Sequence, residues 1–374
     1  MASDSLIGQT FADRYDVTGF LGEGGMGRIF IATDKKGGRS VALKVLHQHL
    51  GVEEEVVQRF YREMRAAEAV NHQHSVEVYD YGQHEGRLYL AMEAVEGDSL
   101  GEVLLDDAPL APERALKFTR QIALALGSAH AQGIVHRDLK PDNVMIGDPG
   151  GVDIVKVCDF GLARFVGGDE GDASDFQTAV GVRVGTPHYM SPEYVGEFRS
   201  DHRSDLYSLG VLLFEMLTGS PPFDGRPYEI LDAHVSTPAP APSERVRGLS
   251  PQLDALVARM LQKDPDARFQ SAKEVVQAID ALGYGEGSLS EDDATDDAPT
   301  VGGQPTIPVP RAAPTPAVAP SEVPVKRVVT PSATPAPPVS SSKKLLAGGV
   351  LVVIVLGAAA VVVLGGLGLW FVLG

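Results

Sequence analysis

The sequence predicts an α+β chain of two lobes, a small strand-rich lobe with one helix and then a larger helical lobe, followed by a disordered tether and an apolar C-terminal helix. Three observations predict it. Short apolar runs bordered by Gly, Arg or Ser dominate the first third of the patterned region, helical spacing takes over from Ala111, and the composition breaks near Tyr284 into a Pro/Ala/Thr/Ser stretch. The patterned region runs over 15–282, the tether over 284–342 and the tail helix over 345–373.

In the first lobe, Val41 to His47 and Leu88 to Ala94 read as strands rich in Val, Leu, Tyr and Met. Between them, Glu53 to Val70 contains no Gly or Pro and sets Val56, Phe60, Met64 and Ala67 at helical spacing. In the second lobe, Pro112 suits a first helical turn, and Ala115, Phe118, Ile122, Leu126 and Ala129 line one face as far as Gly133. The tether opens acidic, with Glu291, Asp292, Asp293, Asp296 and Asp297, and continues with prolines too frequent for helix or central strand. As a flexible coil of about 60 residues it would span roughly 40 Å.

No charged residue occurs from Leu345 to Gly374, and a bilayer span needs only about 20 apolar residues. Lys343 and Lys344 precede the run, with Lys326 and Arg327 further back, so the positive-inside rule places the long N-terminal part in the cytoplasm. Asp4, Gly8, Asp13 and Arg14 interrupt any apolar stretch after Met1, so no cleaved signal peptide is expected. The net charge of -18 argues against a nucleic-acid partner, which would need a basic face to neutralise phosphates. Cys158 is the one cysteine, which excludes an internal disulfide and a thiolate metal cluster and fits a reducing compartment.

Gly22-Glu23-Gly24-Gly25-Met26-Gly27 matches a Gly-x-Gly-x-x-Gly loop, whose backbone N–H groups can approach phosphate oxygens; a ligand-free glycine hairpin reads the same way in isolation. Arg28-Ile29-Phe30-Ile31-Ala32 then continues as a strand, whereas a dinucleotide site would need a helix there. Val41-Ala42-Leu43-Lys44 puts a lysine in an apolar strand, and Glu63 on the following helix is an acid that could partner it. In His136-Arg137-Asp138-Leu139-Lys140-Pro141-Asp142-Asn143, Asp138 can accept or orient a hydroxyl proton, Lys140 can neutralise a transferring phosphate, and Asn143 offers an oxygen to Mg²⁺. Asp159-Phe160-Gly161 supplies a further carboxylate for the metal.

The order of glycine loop, Lys44, Glu63, His-Arg-Asp, Asn143, Asp-Phe-Gly and Ser191-Pro192-Glu193 resembles the protein-kinase family, in particular the bacterial eukaryotic-like (Hanks-type) serine/threonine kinases, over Tyr15 to Leu282. The resemblance implies a bilobal protein-kinase fold and an ATP-dependent serine/threonine protein kinase at the inner face of a bacterial membrane, acting on protein substrates. By it, Lys44 would hold the α- and β-phosphates and pair with Glu63, Asn143 and Asp159 would bind Mg²⁺ (or Mn²⁺), and Asp138 would be the catalytic base, assisted by Lys140. ATP would be enclosed by Leu21, Gly22, Glu23, Gly24, Gly25, Met26, Gly27, Ile29 and Ala42. Adenine would hang on the backbone of Glu93 and Val95 behind the gatekeeper Met92. Phe160 would pack beneath the helix of Glu63, His136 would orient its loop, Asp205 would hydrogen-bond that loop, and Glu193 would pair with Arg268.

Lys140-Pro141-Asp142-Asn143 and Gly185-Thr186-Pro187-His188-Tyr189 resemble the serine/threonine branch rather than the tyrosine branch. Ser191 stands where alanine is usual, and Leu43 where isoleucine is frequent; both are small or apolar exchanges that leave the chemistry intact. Arg137 before Asp138 goes, in this family, with control by activation-segment phosphorylation, for which Thr178 is the expected phosphosite, and trans-autophosphorylation between two copies is one partnership this allows. The tail contains no Gly-x-x-x-Gly, so that motif gives no warrant for helix dimerisation. The competing reading is a pseudokinase scaffold that binds nucleotide or protein partners, against which every residue of the signature is present.

Overall fold

The computed structural model describes residues 6–147, 151–162, 187–284, 352–356 and 359–363. Its first sheet holds β1 (Thr10–Phe11), β2 (Tyr15–Glu23), β3 (Gly27–Asp34), β4 (Arg39–Leu46), β5 (Val78–His84) and β6 (Arg87–Glu93). All neighbours run antiparallel, in the order β1-β2-β3-β4-β6-β5. Strand alternation sorts β4 onto two faces. Val41, Leu43 and Val45 join Phe11, Tyr15 and Phe30 in a small core on one side, while Ala42 and Leu46 belong to the main core on the other. Lys44 shares the parity of Ala42 and Leu46, which directs it toward the cleft between the lobes.

Helix α1 (Glu54–Ala69) packs on that second face through Val57, Phe60, Met64 and Ala67, with Glu63 buried beside them. The expected stripe named Val56, which is only partly buried; steps of three and four back from Phe60 reach both positions, and packing on the sheet selects Val57. The larger lobe follows with β7 (Gly97–Ser99), α2 (Leu100–Asp107), α3 (Pro112–His130), β8 (Val144–Gly147) and β9 (Ile154–Val157), the three strands forming a second antiparallel sheet. Pro112 opens α3, and Ala115, Phe118, Ile122, Leu126 and Ala129 are all fully buried, as the spacing predicts.

Beyond them come α4 (Pro192–Glu197), α5 (His202–Thr218), α6 (Pro227–Ser236), α7 (Pro242–Arg245), α8 (Pro251–Met260) and α9 (Ala272–Ile279). From Ser204 to Leu217, every residue of α5 except Glu215 is buried, so this helix runs through the core rather than along it. Gly210 permits that: a Cβ there would stand 2.7 Å from the Cβ of Met260 on α8. Gly219, at φ 81°, ends α5 with its N–H on the carbonyl of Glu215.

The chain divides after Asp296, and the second unit contains β10 (Val352–Leu356) and β11 (Ala359–Val363), an antiparallel pair. The sequence reading expects one helix over 345–373; its described portions are these strands instead, and the rest lies outside the described residues, as does the tether. The reason is compositional: Val and Ile, branched at Cβ, fit a strand as readily as a helix, and an apolar run of this kind carries no periodicity to decide between them. Among the described residues no helix is long and apolar enough to cross a membrane.

Candidate active site

The loop between α3 and β8 is held by α5. Asp205 accepts the backbone N–H groups of His136 (2.8 Å) and Arg137 (2.9 Å) and the Nε2 of His130 (2.8 Å). Burial alone would raise the Asp205 carboxyl, but the hydrogen bond and charge of His130, with the other donors, outweigh it and hold the group below the usual carboxylate range. Arg137 adopts the left-handed region, φ 67°, a conformation that costs about 1–3 kcal/mol for a non-glycine residue and persists only because these bonds over-determine it. His136 is fully buried and joins two segments: its Nε2 donates to the carbonyl of Cys158 (2.9 Å), and its Nδ1 accepts the N–H of Asp138 (3.3 Å). The partners fix the neutral tautomer.

The polar groups that the sequence reading singles out converge on Asp138. Lys140 Nζ donates to Asp138 Oδ2 at 2.7 Å, and Asn143 Nδ2 donates to the Asp138 carbonyl at 2.7 Å and to Oδ2 at 3.1 Å. Because the amide nitrogen of Asn143 is committed to Asp138, its Oδ1 remains the side-chain acceptor. Cys158 donates its backbone N–H to the Asn143 carbonyl (3.0 Å), which ties the loop to the strand leading into Asp159. Burial pushes the Cys158 thiol far above its ordinary range, so it behaves as a small packed residue rather than a nucleophile.

From the other lobe, Lys44 Nζ reaches Asp159 Oδ2 at 2.6 Å. This departs from the expected Lys44–Glu63 pair: Glu63 is buried on α1 and lies within reach of Arg62 (3.5 Å), while the ammonium is taken by Asp159. A buried lysine needs one close carboxylate, and the left-handed backbone of Asp159, φ 65°, brings its side chain to that place. Phe160 packs edge-on against His136, 4.9 Å between ring centres, and lines a small cavity with Met64 and Ala67 of α1 and the gatekeeper position Met92.

Asp159 Oδ1 is buried and has no hydrogen-bond partner. An orphaned carboxylate oxygen and an amide oxygen left as acceptor are the donor types of a hard divalent cation that takes its other ligands from water and phosphate. The residues therefore fit Mg²⁺ held jointly with nucleotide.

At the cleft's outer edge, Gly24 donates to the Gly27 carbonyl at 2.8 Å, closing a tight turn over Gly24, Gly25 and Met26 between β2 and β3. A Cβ on Gly24 or Gly25 would meet nothing within 4 Å, whereas one on Gly27 would stand 2.3 Å from the Val45 carbonyl. Leu21 is exposed, Gly22 and Glu23 end β2, and Ile29 lies opposite Lys44 across the β3–β4 ladder. Ala42 lies opposite Met92, Glu93 closes β6, and Val95 follows in the connection to β7. The positions expected to face nucleotide thus share one sheet, its glycine turn and this connection.

Sequence reasoning missed several partners. Glu93 is bridged by Lys156 from β9, 2.8 Å, and Tyr189 donates to Glu215 of α5 at 2.6 Å. Ser208 donates to the Tyr189 carbonyl at 2.7 Å. A small cleft beside Asp138 is lined by Leu139, Tyr189, Ser191, Tyr194 and Ser204 among others. No local pattern marks such pairs, since each joins segments far apart in sequence. The expected pairs Asp205 with the loop and Glu193 with Arg268 (2.7 Å) are present. Thr178 and Thr186 lie outside the described residues.

A strand-rich lobe with a glycine turn, joined to a helical lobe carrying Asp138, Asn143 and Asp159, is the protein-kinase fold. The chain matches the protein kinase domain over residues 15–279 and belongs to that family. Among curated proteins, serine/threonine-protein kinase pkn3 of Myxococcus xanthus is 40% identical over 289 residues, covering 74% of this chain and 52% of its own. Serine/threonine-protein kinase PknB of Mycolicibacterium smegmatis is 41% identical over 272 residues, covering 71% and 42%. The chain spans about half or less of the length of these relatives. Among solved structures, the PknI kinase domain of Mycobacterium tuberculosis aligns with a TM-score of 0.58 at 29% identity, over 73% of this chain and 98% of that one.

Proposed function

We propose that this chain is an ATP-dependent serine/threonine protein kinase, with Asp138 as the group that receives or orients the hydroxyl proton of the acceptor. The observation that carries the reading is the convergence of Lys140 and Asn143 on Asp138, at 2.7 and 3.1 Å, in the lobe that also presents the orphaned oxygen of Asp159. The acceptor oxygen would attack the γ-phosphorus as the bond to the β–γ bridging oxygen breaks. Its proton would pass to Asp138 and the electron pair would leave with ADP. Lys140 would neutralise charge on the transferring group and Lys44 would hold the α- and β-phosphates. Asn143 and Asp159 would hold Mg²⁺ (or Mn²⁺), which supplies neutralisation of the phosphate oxygens. The glycine turn would cover the phosphates, and the backbone of Glu93 and Val95 would take adenine. The test is incorporation of γ-labelled phosphate into Ser or Thr by the full chain, beside Asp138→Asn. Loss of about 10²–10⁴ in the variant with ATP binding retained supports the role; equal labelling by both sinks it.

Two further parts of the reading concern control and place. Thr178 would be phosphorylated by a second copy of the chain and engage Arg137, and phosphopeptide mapping that finds it unmodified in active protein rejects this. The run 345–373 would cross a membrane as one helix with the kinase domain on the cytoplasmic side. An open hairpin leaves edge N–H and C=O groups unpaired in hydrocarbon, so a bilayer would select the helix. Flotation with phospholipid vesicles by the full chain, and none by a chain ending at Ser342, is the expected outcome; flotation by both would place membrane affinity elsewhere.

A further inference from the structure

We infer that Lys156 is a positioning residue for nucleotide binding, because its ion pair with Glu93 fastens the strand that would present backbone to adenine onto the strand that leads into Asp159. The inference rests on the proposed adenine contact at Glu93 and Val95. Glu93 is the last residue of β6, in the first sheet; Lys156 lies on β9, in the second. Lys156 Nζ stands 2.8 Å from one carboxylate oxygen of Glu93 and 2.9 Å from the other. The two side chains are only 25% and 21% exposed, which separates this pair from the freely solvated ones that contribute nothing measurable.

The surroundings make the pair a joint rather than an isolated bond. Glu93 also accepts the N–H of Glu77 on its side chain (3.2 Å) and returns its own N–H to the Glu77 carbonyl (2.9 Å). The segment just before Glu77 is bolted to β9 in turn. Val76 donates to the Val157 carbonyl and Val157 to the His74 carbonyl, both at 2.8 Å, and His74 Nδ1 donates to the Val155 carbonyl at 3.0 Å. Lys156 adds to this frame a side-chain tie at Glu93, where β6 passes into the cleft-lining connection. A connection held at fixed height above β9 binds adenine without first being ordered, and that saving appears as affinity.

The experiment is equilibrium binding of a fluorescent ATP analogue to the full chain carrying Lys156→Met, Lys156→Arg, or the exchanged pair Glu93→Lys with Lys156→Glu, with melting temperature measured alongside. Lys156→Met should weaken binding about fivefold, the lower end for coupling between two sites. Lys156→Arg should bind close to wild type, and the exchanged pair should bind better than Glu93→Lys alone. In turnover, the Met variant should raise the KM for ATP while leaving kcat at saturating ATP within about twofold. Unchanged affinity in Lys156→Met, or an arginine variant as weak as methionine with a wild-type melting temperature, overturns the inference. A wild-type chain that binds no nucleotide overturns the kinase reading with it.

Discussion

Lys44 and Asp159, 115 positions apart in sequence, meet at 2.6 Å across the cleft between the two lobes. The pair joins the strand expected to hold the phosphates of ATP to the carboxylate expected to hold the metal. Each satisfies the charge that the other would leave buried and alone.

If both act on one bound nucleotide, their substitutions cannot be independent. Lys44→Met and Asp159→Asn should each reduce phosphate incorporation by at least about 10², and the double variant should fall well short of the product. Strict multiplicativity in a double-mutant cycle would show that the contact is incidental to turnover.

The glycine turn separates two requirements that look alike in sequence. Gly27→Ala drives a Cβ to 2.3 Å from the Val45 carbonyl and 2.7 Å from the Leu46 Cα, both backbone, so the melting temperature should drop by several degrees. Gly24→Ala meets nothing within 4 Å and should melt like wild type while altering the KM for ATP. Equal melting of the two variants would contradict the packing.

Asp205 should be needed for turnover more than for nucleotide affinity. Asp205→Ala strands the N–H groups of His136 and Arg137, at about 1–3 kcal/mol for each unsatisfied buried donor, and frees Arg137 from its left-handed conformation. A fall in kcat with little change in ATP affinity is the expected pattern. Equal losses in both would make Asp205 a general stabiliser.

The buried ion pair of Glu193 and Arg268 gives a pH signature. Burial acts to raise the Glu193 carboxyl, but the hydrogen bond and charge of Arg268, with Ser204, more than offset it and hold the group below its ordinary value. A carboxylate depressed in the folded state contributes stability that is present above its unfolded value, about 4.3, and is lost as pH falls below that. Arg268→Met should therefore cost about 3–5 kcal/mol at neutral pH. Its difference from wild type should shrink as acid protonates Glu193. Thermal melts from pH 7 to pH 3 test this, and a difference that is constant with pH contradicts it.

Much of this arrangement is legible before any coordinates. The spacing of Ala115, Phe118, Ile122, Leu126 and Ala129 finds α3, and the strand-turn-strand reading of Gly22 to Ala32 finds the glycine turn, because local periodicity and glycine chemistry decide both. What stays hidden depends on long-range geometry. Glu63 and Asp159 are equally eligible partners for Lys44 by charge, and only the left-handed turn at Asp159 selects one of them in this state. Helix α5 is buried on nearly all sides, with polar residues among its buried positions, and offers no single apolar stripe to read. The tail is left open by its residues, since a run of Val, Leu, Gly and Ala supports two secondary structures and the surrounding medium must choose.

Because α5 is enclosed, it serves as a common datum for parts that, on the proposed function, would meet an acceptor protein together. Asp205 near its start fixes the loop of Asp138, Ser204 reaches Glu193, Ser208 holds the Tyr189 carbonyl, and Glu215 near its end holds the Tyr189 hydroxyl. The loop of Asp138 and the Tyr189 segment are therefore referenced to one rod. On the proposed function, a shift of the strand-rich lobe would change the distance to ATP while the spacing between Asp138 and the Tyr189 segment stayed constant. The hold on nucleotide would then relax without loss of aim at the acceptor hydroxyl.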